Sequence, residues 1–462
     1  MWIGFDDTDS PRGGCTTWVL TEFLREARGY DVLGWPRLVR LNPNAPGKTR
    51  GNGALGVRLG HGRGTPWTIG EIAGEPVTAY SRGSPLTPRE EEEIWETGLR
   101  VLHRESRWED PRTDPALVAC RTSLPPDLYW RAVREIVDPH AVWEFLAGVP
   151  SARVAAYRSG QGVVGASAVL SWPARRRTWE LLAYRAPARW SEPRREVDPG
   201  SVREVARRFP ETFHSYDPLT RRLLVTPHTP CPILLGLRAR SPRRLPQVLR
   251  EIRSEPVDRW LLFATNQGTG DHWAPRVSTQ ALPGDAGWLH GWVASEPVSR
   301  PGGHVVLEVQ DRGGIIPCVA FEATKTLPPV VRGLRVGDRV RVWGSFGSRP
   351  GGEGLSLRLE RIQVIRTVPR THKIANPVCR ECGHRMGSLG RGKGFRCPIC
   401  RRREPPESAP SREVGPRVLR GTYDPTPSAR RHLAPPSPRA KGTGRARSPR
   451  PGGKDDVGKR GL

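Results

Sequence analysis

Three carboxylates crowd the first nine positions. Asp6, Asp7 and Asp9 follow an apolar run at residues 2–5 and precede a Gly-rich turn at residues 12–14. Carboxylates packed this closely at a strand end repel one another unless a cation offsets them. Hard oxygen ligands there suit Mg2+ held jointly with phosphate oxygens. A helix starting at residues 15–17 would offer its backbone N–H groups to the same phosphates. A solvated acidic turn with an Asp cap is the plainer reading. A second stretch, Lys48-Thr49-Arg50-Gly51-Asn52-Gly53, sets two cations around a Thr and adds glycines that admit a ligand close to the backbone. Asn52-Gly53 is equally a hairpin-turn signal. Residues 160–165, Gly-Gln-Gly-Val-Val-Gly, match a dinucleotide fingerprint by letter, but the strand-like run at 179–184 follows too soon for a standard crossover. What remains is a glycine loop in which Gly160 and Gly162 allow close approach.

The sharpest metal signal lies near the other end. Cys379-x2-Cys382 and Cys397-x2-Cys400 are separated by 14 residues, and each pair can chelate from a tight turn. Four thiolates close a tetrahedral zinc shell and leave no position for a catalytic water, so the zinc is structural. Between the pairs, Arg385, Arg391, Lys393, Phe395 and Arg396 mix cations with an aromatic ring, which suits a nucleic-acid backbone and a stacked base. The loops 211–217 and 226–232 are polar and Pro-punctuated, as loops lining active sites are.

The elements that must position these groups read as follows. Residues 1–250 mix strand-like runs (2–5, 53–59, 163–170, 179–184, 223–226) with helices at 16–28 and 87–104. The second helix opens on Thr87, Pro88 and a run of four Glu, which complements the positive end of a helix. Residues 287–368 give five strands in about 80 residues with a long link between the third and fourth, the pattern of an OB-fold, with an unrelated small barrel as the plainer reading. Residues 406–462 hold 10 Pro and 13 Lys/Arg against 5 Asp/Glu, too little apolar surface to order themselves, and read as a disordered basic tail.

At 462 residues the chain suggests about three domains. Its 74 Lys+Arg exceed 47 Asp+Glu by 27, and 67 of those cations are Arg. That balance argues against a simple small-molecule enzyme and toward a polyanionic partner such as nucleic acid. No run of 18 apolar residues exists for a membrane helix. The acidic N-terminus does not read as a secretory signal. Four isolated cysteines and one cluster fit a reducing, cytoplasmic compartment.

Taken together, these residues resemble the archaeal tRNA-isoleucine 2-agmatinylcytidine synthetase family (TiaS) over residues 1 to about 403. IGFDDTDSPRGGCTT looks like the family's kinase-like opening and PRLVRLNPNAPGKTRGNGA like its second block. GQGVVGA, WELLAYR, RRFPETFHSYD, TPHTPCPILLGLR, FATNQGTGDH, the OB segment GGHVVLEVQDRGGIIPCVAFEATK and the four-cysteine ribbon follow in order. The resemblance implies an α+β multidomain chain. It would comprise a kinase-like catalytic domain (1–115), a ferredoxin-like domain with linker (116–286), an OB-fold β-barrel (287–368), a zinc ribbon (376–403) and the tail. It implies ATP-dependent ligation of agmatine to carbon 2 of the wobble cytidine in the CAU anticodon of tRNA-isoleucine. The cytidine would be phosphorylated on the way, and the products would include AMP and two phosphates. Asp6, Asp7 and Asp9 would hold Mg2+ on the ATP, with Lys48 and Arg50 clamping its oxygens beside Gly51, Asn52 and Gly53. The family's autophosphorylated threonine falls on Thr16, next to Thr17. No membrane and no obligate protein partner are implied. The rival is a non-catalytic single-strand nucleic-acid-binding protein built on the OB-fold and ribbon, which has no need of DDTDS or KTRGNG.

Overall fold

A computed structural model describes residues 1–46, 51–192, 194–349 and 354–436. The chain opens with β1 (Trp2–Asp6), α1 (Thr16–Glu26), β2 (Asp31–Leu33), β3 (Arg37–Arg40) and the long β4 (Gly53–Arg63). A meander of β5 (Trp67–Ile72), β6 (Glu75–Tyr80) and β7 (Arg82–Ser84) leads to α2 (Pro88–Glu105). Thr87 caps α2 in a reciprocal box: its Oγ1 accepts from Glu90 N, and its own N–H donates to Glu90 Oε2 at 2.7 Å. β8 (Ala116–Cys120), α3 (Asp127–Arg134), α4 (Pro139–Ala147) and β9 (Arg153–Ala156) come next. β8 pairs with β1, and β9 with β8. The first unit therefore runs to about residue 156, not to 115; the loop at 110–115 is a turn inside it.

The second unit consists of α5 (Gly162–Ser171), β10 (Thr178–Tyr184), α6 (Pro199–Arg208), β11 (Thr212–Phe213), β12 (Tyr216–Asp217), β13 (Arg222–Leu223), β14 (Ile233–Ala239), α7 (Leu245–Glu251) and β15 (Arg259–Thr265). One 13-stranded sheet spans both units: eleven strands run in the order β11-β14-β10-β15-β5-β6-β2-β4-β1-β8-β9, β3 pairs with β15 and β4, and β7 pairs with β4. β15 is the seam, antiparallel to β5 and parallel to β3. Strand alternation feeds two cores. Ala116, Val118 and Cys120 of β8 and Leu181 and Ala183 of β10 bury on one face; Leu117, Ala119, Leu182 and Tyr184 bury on the other.

Residues 163–170, expected as a strand, form the helix α5 instead. All ten of its residues are buried, so no face was left polar to reveal a helical period. The helix lies directly on the sheet because glycines clear its path. A Cβ on Gly4 would collide with Ala166 O, one on Gly56 with Val169, and one on Gly165 with the Asp6 carboxylate.

The OB-fold is as expected. Strands Ala286–Val293, Val305–Gln310, Ile315–Ala320, Arg339–Ser348 and Leu355–Arg366 close a barrel through the pairings Trp292↔Gln310 and Cys318↔Leu357. The long link carries α8 (Leu327–Gly333). The tail begins later than composition suggests. Ser411–Val414 pairs with Arg370–Lys373 into a two-stranded stalk under the ribbon, and Gly421–Tyr423 adds to the barrel strand Leu355–Arg366. Residues up to 436 then cross the second unit, with Leu433 2% and Ala434 3% exposed. Few apolar residues suffice there because the surface they cover is already formed. Residues 437–462, the remainder of the expected tail, lie outside the described residues.

Candidate active site

A cavity of ≈ 440 Å³ opens between the two units of the large sheet, and Asp6, Asp7, Asp9, Thr16, Thr17, Gly51, Asn52 and Gly53 all line it. The sequence motifs at residues 6–9 and 51–53, expected to share one ligand, do share one space. Lys48 and Arg50, the expected clamps, lie outside the described residues.

β1 delivers the acidic end. Asp6 is its last residue, 8% exposed, and Asp7 follows with φ +51°. Thr8 Oγ1 donates to Thr16 Oγ1 at 3.1 Å, which ties the acidic turn to the start of α1. Thr113 Oγ1 donates to Asp9 O at 2.9 Å. Burial pushes the Asp6 carboxyl up to about 7 and Asp7 up to about 8, and Asp6, Asp9 and Asp114 add repulsion at Asp7. A cation among them relieves both causes. Hard carboxylate oxygens beside a helix start are donors of the kind Mg2+ with phosphate prefers. The three carboxylates do not converge on one point, however, and would need phosphate oxygens to complete a shell.

The second motif forms a tight return into β4. Asn52, with φ +45°, donates from Nδ2 to Asn42 O at 2.7 Å, and Leu41 N donates to Asn52 O at 3.0 Å. Gly51 and Gly53 admit the Arg40 guanidinium, which a Cβ at either would crowd.

Gly160 and Gly162 do different work from that expected. Gly160 sits at φ +76° with its N–H on Asp114 Oδ1 (3.2 Å), and Gln161 N donates to Asp114 Oδ2 (3.0 Å). A Cβ on Gly162 would strike Asp114 O. These glycines seat the start of α5 against residue 114. Gln161, Val164 and Gly165 reach the cavity wall; Gly160 and Gly162 do not.

The opposite wall is basic, and sequence reasoning missed most of it. Arg238 Nε donates to Glu180 Oε1 at 2.9 Å, Arg40 Nη2 stands 3.9 Å from Glu180 Oε2, and Gln267 donates to the same carboxylate. Glu180 is 1% exposed. Arg222, Arg430, His214 and His432 complete that side. The signal was present for some: His214, His228 and Cys231 belong to the two Pro-punctuated loops, which do line the cavity. Arg40, Arg238 and Arg430 carry no local signal, because three distant segments bring them together.

In the ribbon, Cys379, Cys382, Cys397 and Cys400 point their sulfurs inward, all within 4.8 Å of one another. The separations of 3.4, 3.3 and 3.8 Å approach the edge of about 3.8 Å expected for a tetrahedron with Zn–S of about 2.3 Å. The donors fit zinc.

Comparison with known proteins agrees along most of the chain. The TiaS TCKD domain matches residues 2–155, the TiaS FLD domain 160–272, the OB-fold nucleic acid binding domain 288–365 and the TiaS C-terminal zinc ribbon domain 376–415. The tRNA-isoleucine 2-agmatinylcytidine synthetase TiaS of Methanopyrus kandleri is 37% identical over 451 residues, covering 94% of this chain and 96% of that one. The protein of the same name from Archaeoglobus fulgidus is 34% identical, covering 96% and 99%. Among solved structures, a complex of TiaS with its isoleucine tRNA and ATP superposes with TM-score 0.77 at 32% identity, covering 94% and 96%. A complex of TiaS with the same tRNA, AMPCPP and agmatine gives 0.75 at 29% identity, covering 96% and 98%. This chain belongs to the TiaS family of tRNA-isoleucine 2-agmatinylcytidine synthetases.

Proposed function

We propose that the chain ligates agmatine to carbon 2 of the wobble cytidine in the CAU anticodon of tRNA-isoleucine, at the expense of ATP. The observation that carries this reading is the single cavity that unites Asp6, Asp7 and Asp9 with Thr16 on one side and a guanidinium-rich wall on the other. A nucleic-acid-binding module has no use for that arrangement. The carbon-2 oxygen of cytidine is a poor leaving group. Phosphorylation converts it to phosphate, and the primary amine of agmatine then attacks the ring carbon and displaces it. AMP and two phosphates account for the ATP. One phosphoryl group goes to the carbon-2 oxygen and leaves with it as phosphate. The other goes to Thr16 and is released to water as the second phosphate.

Phosphoryl transfer asks for positioning and charge neutralisation above all. Asp6, Asp7 and Asp9 are the residues that would hold Mg2+, which would neutralise the triphosphate. The start of α1 presents Thr16 and Thr17 where phosphate is favoured; we assign phosphorylation to Thr16, whose hydroxyl already meets Thr8. Gly51, Asn52 and Gly53 bring the Arg40 guanidinium up to the nucleotide, and Lys48 and Arg50 precede them as clamps. The target base must leave the anticodon stack to enter, with the OB-fold and ribbon gripping the RNA around it. The cytoplasm is the proposed location, and no described helix is long and apolar enough to cross a membrane.

The test is incubation of the full chain with CAU-anticodon tRNA-isoleucine, ATP and agmatine, followed by nucleoside mass spectrometry. An agmatine adduct of cytidine, with ATP consumption that requires both tRNA and agmatine, is expected. Tight tRNA binding with no adduct under any combination overturns the reading in favour of a binding protein.

A further inference from the structure

We propose that the segment 424–436, which follows the ribbon, is a working wall of the active site, and that its Arg430 joins Arg238 in a subsite for a phosphoryl group. The inference rests on the reaction proposed above and adds to it a residue and a ligand chemistry.

The segment is built in. Arg361 holds both of its ends, donating from Nε to the Asp424 carboxylate and from Nη2 to Pro435 O at 3.1 Å. Asp217 accepts from Ser428 N and Ser428 Oγ. Gly268 N donates to His432 O and Gly270 N to Leu433 O, each at 2.8 Å. Between these pins, Ser428, Arg430 and His432 face the cavity that holds Asp6, Asp7 and Asp9. His432 Nδ1 lies 3.1 Å from Gln267 Oε1, and its ring stands beside Gly51 of the nucleotide loop.

Charge identifies the ligand. Four guanidiniums, Arg40, Arg222, Arg238 and Arg430, line the cavity, with the Glu180 carboxylate between Arg40 and Arg238. Glu180 already serves two of the four, Arg40 and Arg238. Asp424 and Asp217 lie behind Arg430 and hold it electrostatically, while Asp424 also accepts from Arg361 and Asp217 from Ser428 and the backbone of residues 219 and 220. Arg430 Nε donates to Pro425 O at 3.1 Å, which fixes the plane of the fork. A cluster of guanidinium forks facing one space matches phosphoryl oxygens. A second observation points the same way. His214 lines the cavity, and its buried Nε2 has no hydrogen-bond partner among the described residues. Burial, then Arg238 and Arg430, push His214 down to about 3, so the ring stays neutral beside these cations. A phosphoryl oxygen supplies negative charge to this wall and an acceptor for a His214 N–H.

The phosphoryl group belongs either to ATP or to the RNA backbone at the flipped nucleotide, and two binding arms separate these sources. Calorimetry on the full-length wild type, Arg430→Met and Arg430→Lys would use AMPCPP in one arm and CAU-anticodon tRNA in the other. Arg430→Met is expected to weaken one probe by about 10-fold or more, the loss typical of a charged hydrogen-bond partner. Loss confined to AMPCPP assigns the subsite to the nucleotide, and loss confined to tRNA assigns it to the RNA backbone. Arg430→Lys, which keeps a charge, is expected to stay within about 5-fold of wild type. Unchanged affinity for both probes overturns the proposal. So does a Lys variant as weak as Met, or a Met variant that melts more than about 5 °C lower. Neither arm requires turnover. A wild type that binds AMPCPP yet forms no agmatine adduct therefore refutes the proposed reaction and leaves the subsite to be judged on binding alone.

Discussion

At Asp7 the chain leaves β1 in a left-handed conformation and sets a carboxylate among the charges of Asp6, Asp9 and Asp114. Asp7→Asn keeps the shape and removes the charge. Agmatine incorporation should fall at least ~100-fold, the scale of losing one preorganised electrostatic group, while tRNA affinity stays within a few-fold. In metal-free buffer at pH 8 the variant should melt higher than wild type, because a mutually repelling buried charge is gone. An active Asp7→Asn enzyme would remove the catalytic assignment. His214 supplies the pH test. Its ring is neutral in the fold, pushed down to about 3, whereas the unfolded chain takes up that proton below about 6.5. Stability from this group is therefore present above pH 6.5 and is lost as pH falls toward 3, at up to ~1.4 kcal/mol per pH unit. His214→Asn suits the left-handed φ of +54° there and lacks the effect. In urea melts its deficit against wild type should shrink between pH 7.5 and 4.5; a constant deficit would contradict the assignment. The acidic cluster was legible because its members are consecutive and near a glycine turn. Arg40, Arg238 and Arg430 were not, being three of 67 arginines joined only by folding.

Among the elements, α5 shows where a sequence pattern stops being readable. Period 2 and period 3.6 differ only if one face is polar, and α5 has none. The strands of the OB-fold and the capped helix α2 kept a solvent face or a cap, and both were read correctly. The glycines tell the same story from the other side. Gly160, Gly162 and Gly165 look like ligand glycines by letter, yet what they approach is the protein: residue 114, the sheet and the Asp6 carboxylate. Gly4→Ala forces a methyl group into the carbonyl of Ala166, and neither the central strand nor the buried helix can retreat. A loss of ~3 kcal/mol or more is expected, at the upper end for overpacking. Gly29→Ala, with nothing within 4 Å of the new methyl, should stay within about 0.5 kcal/mol. Equal effects in chemical denaturation would refute close packing of α5 on β1.

For the molecule as a whole, the ribbon is an excursion from one barrel strand: it leaves after Arg366 and returns at Gly421 on the same strand's edge. Four thiolates around one zinc would tie the ribbon's fold to the metal. The wild type is therefore expected to carry one zinc per chain, and Cys397→Ser to lower this toward zero and unfold the ribbon locally; a zinc-free variant with wild-type tRNA affinity would refute that dependence. Composition misled at this scale. Residues 406–436 have the makeup of a tail, but they dock on surfaces formed from about 40 to more than 200 residues earlier, and no local window contains that information. The boundary at 115 failed for the same reason, since β8 pairs with β1 across more than a hundred residues. The two halves of the basic C-terminal region should therefore behave differently when cut. Ending the chain at residue 436 removes eight Lys/Arg and two Asp, a net +6. Such a segment touches phosphates without reading bases. Affinity for tRNA should weaken at low salt, and the slope of log affinity against log salt should flatten by up to ~0.7 to 0.9 for each phosphate the segment reaches. Turnover at saturating tRNA should remain near wild type, because Asp6, Asp7, Asp9, Thr16 and Arg430 are all retained. Ending the chain at residue 420 removes Arg430, His432 and the buried Leu433 as well. That protein should lose at least ~10-fold in turnover even at saturation, since a wall of the cavity is gone. Identical salt slopes for wild type and the 436-residue chain would make residues 437–462 spectators. Full turnover from the 420-residue chain would show that the cavity does not need the returning segment.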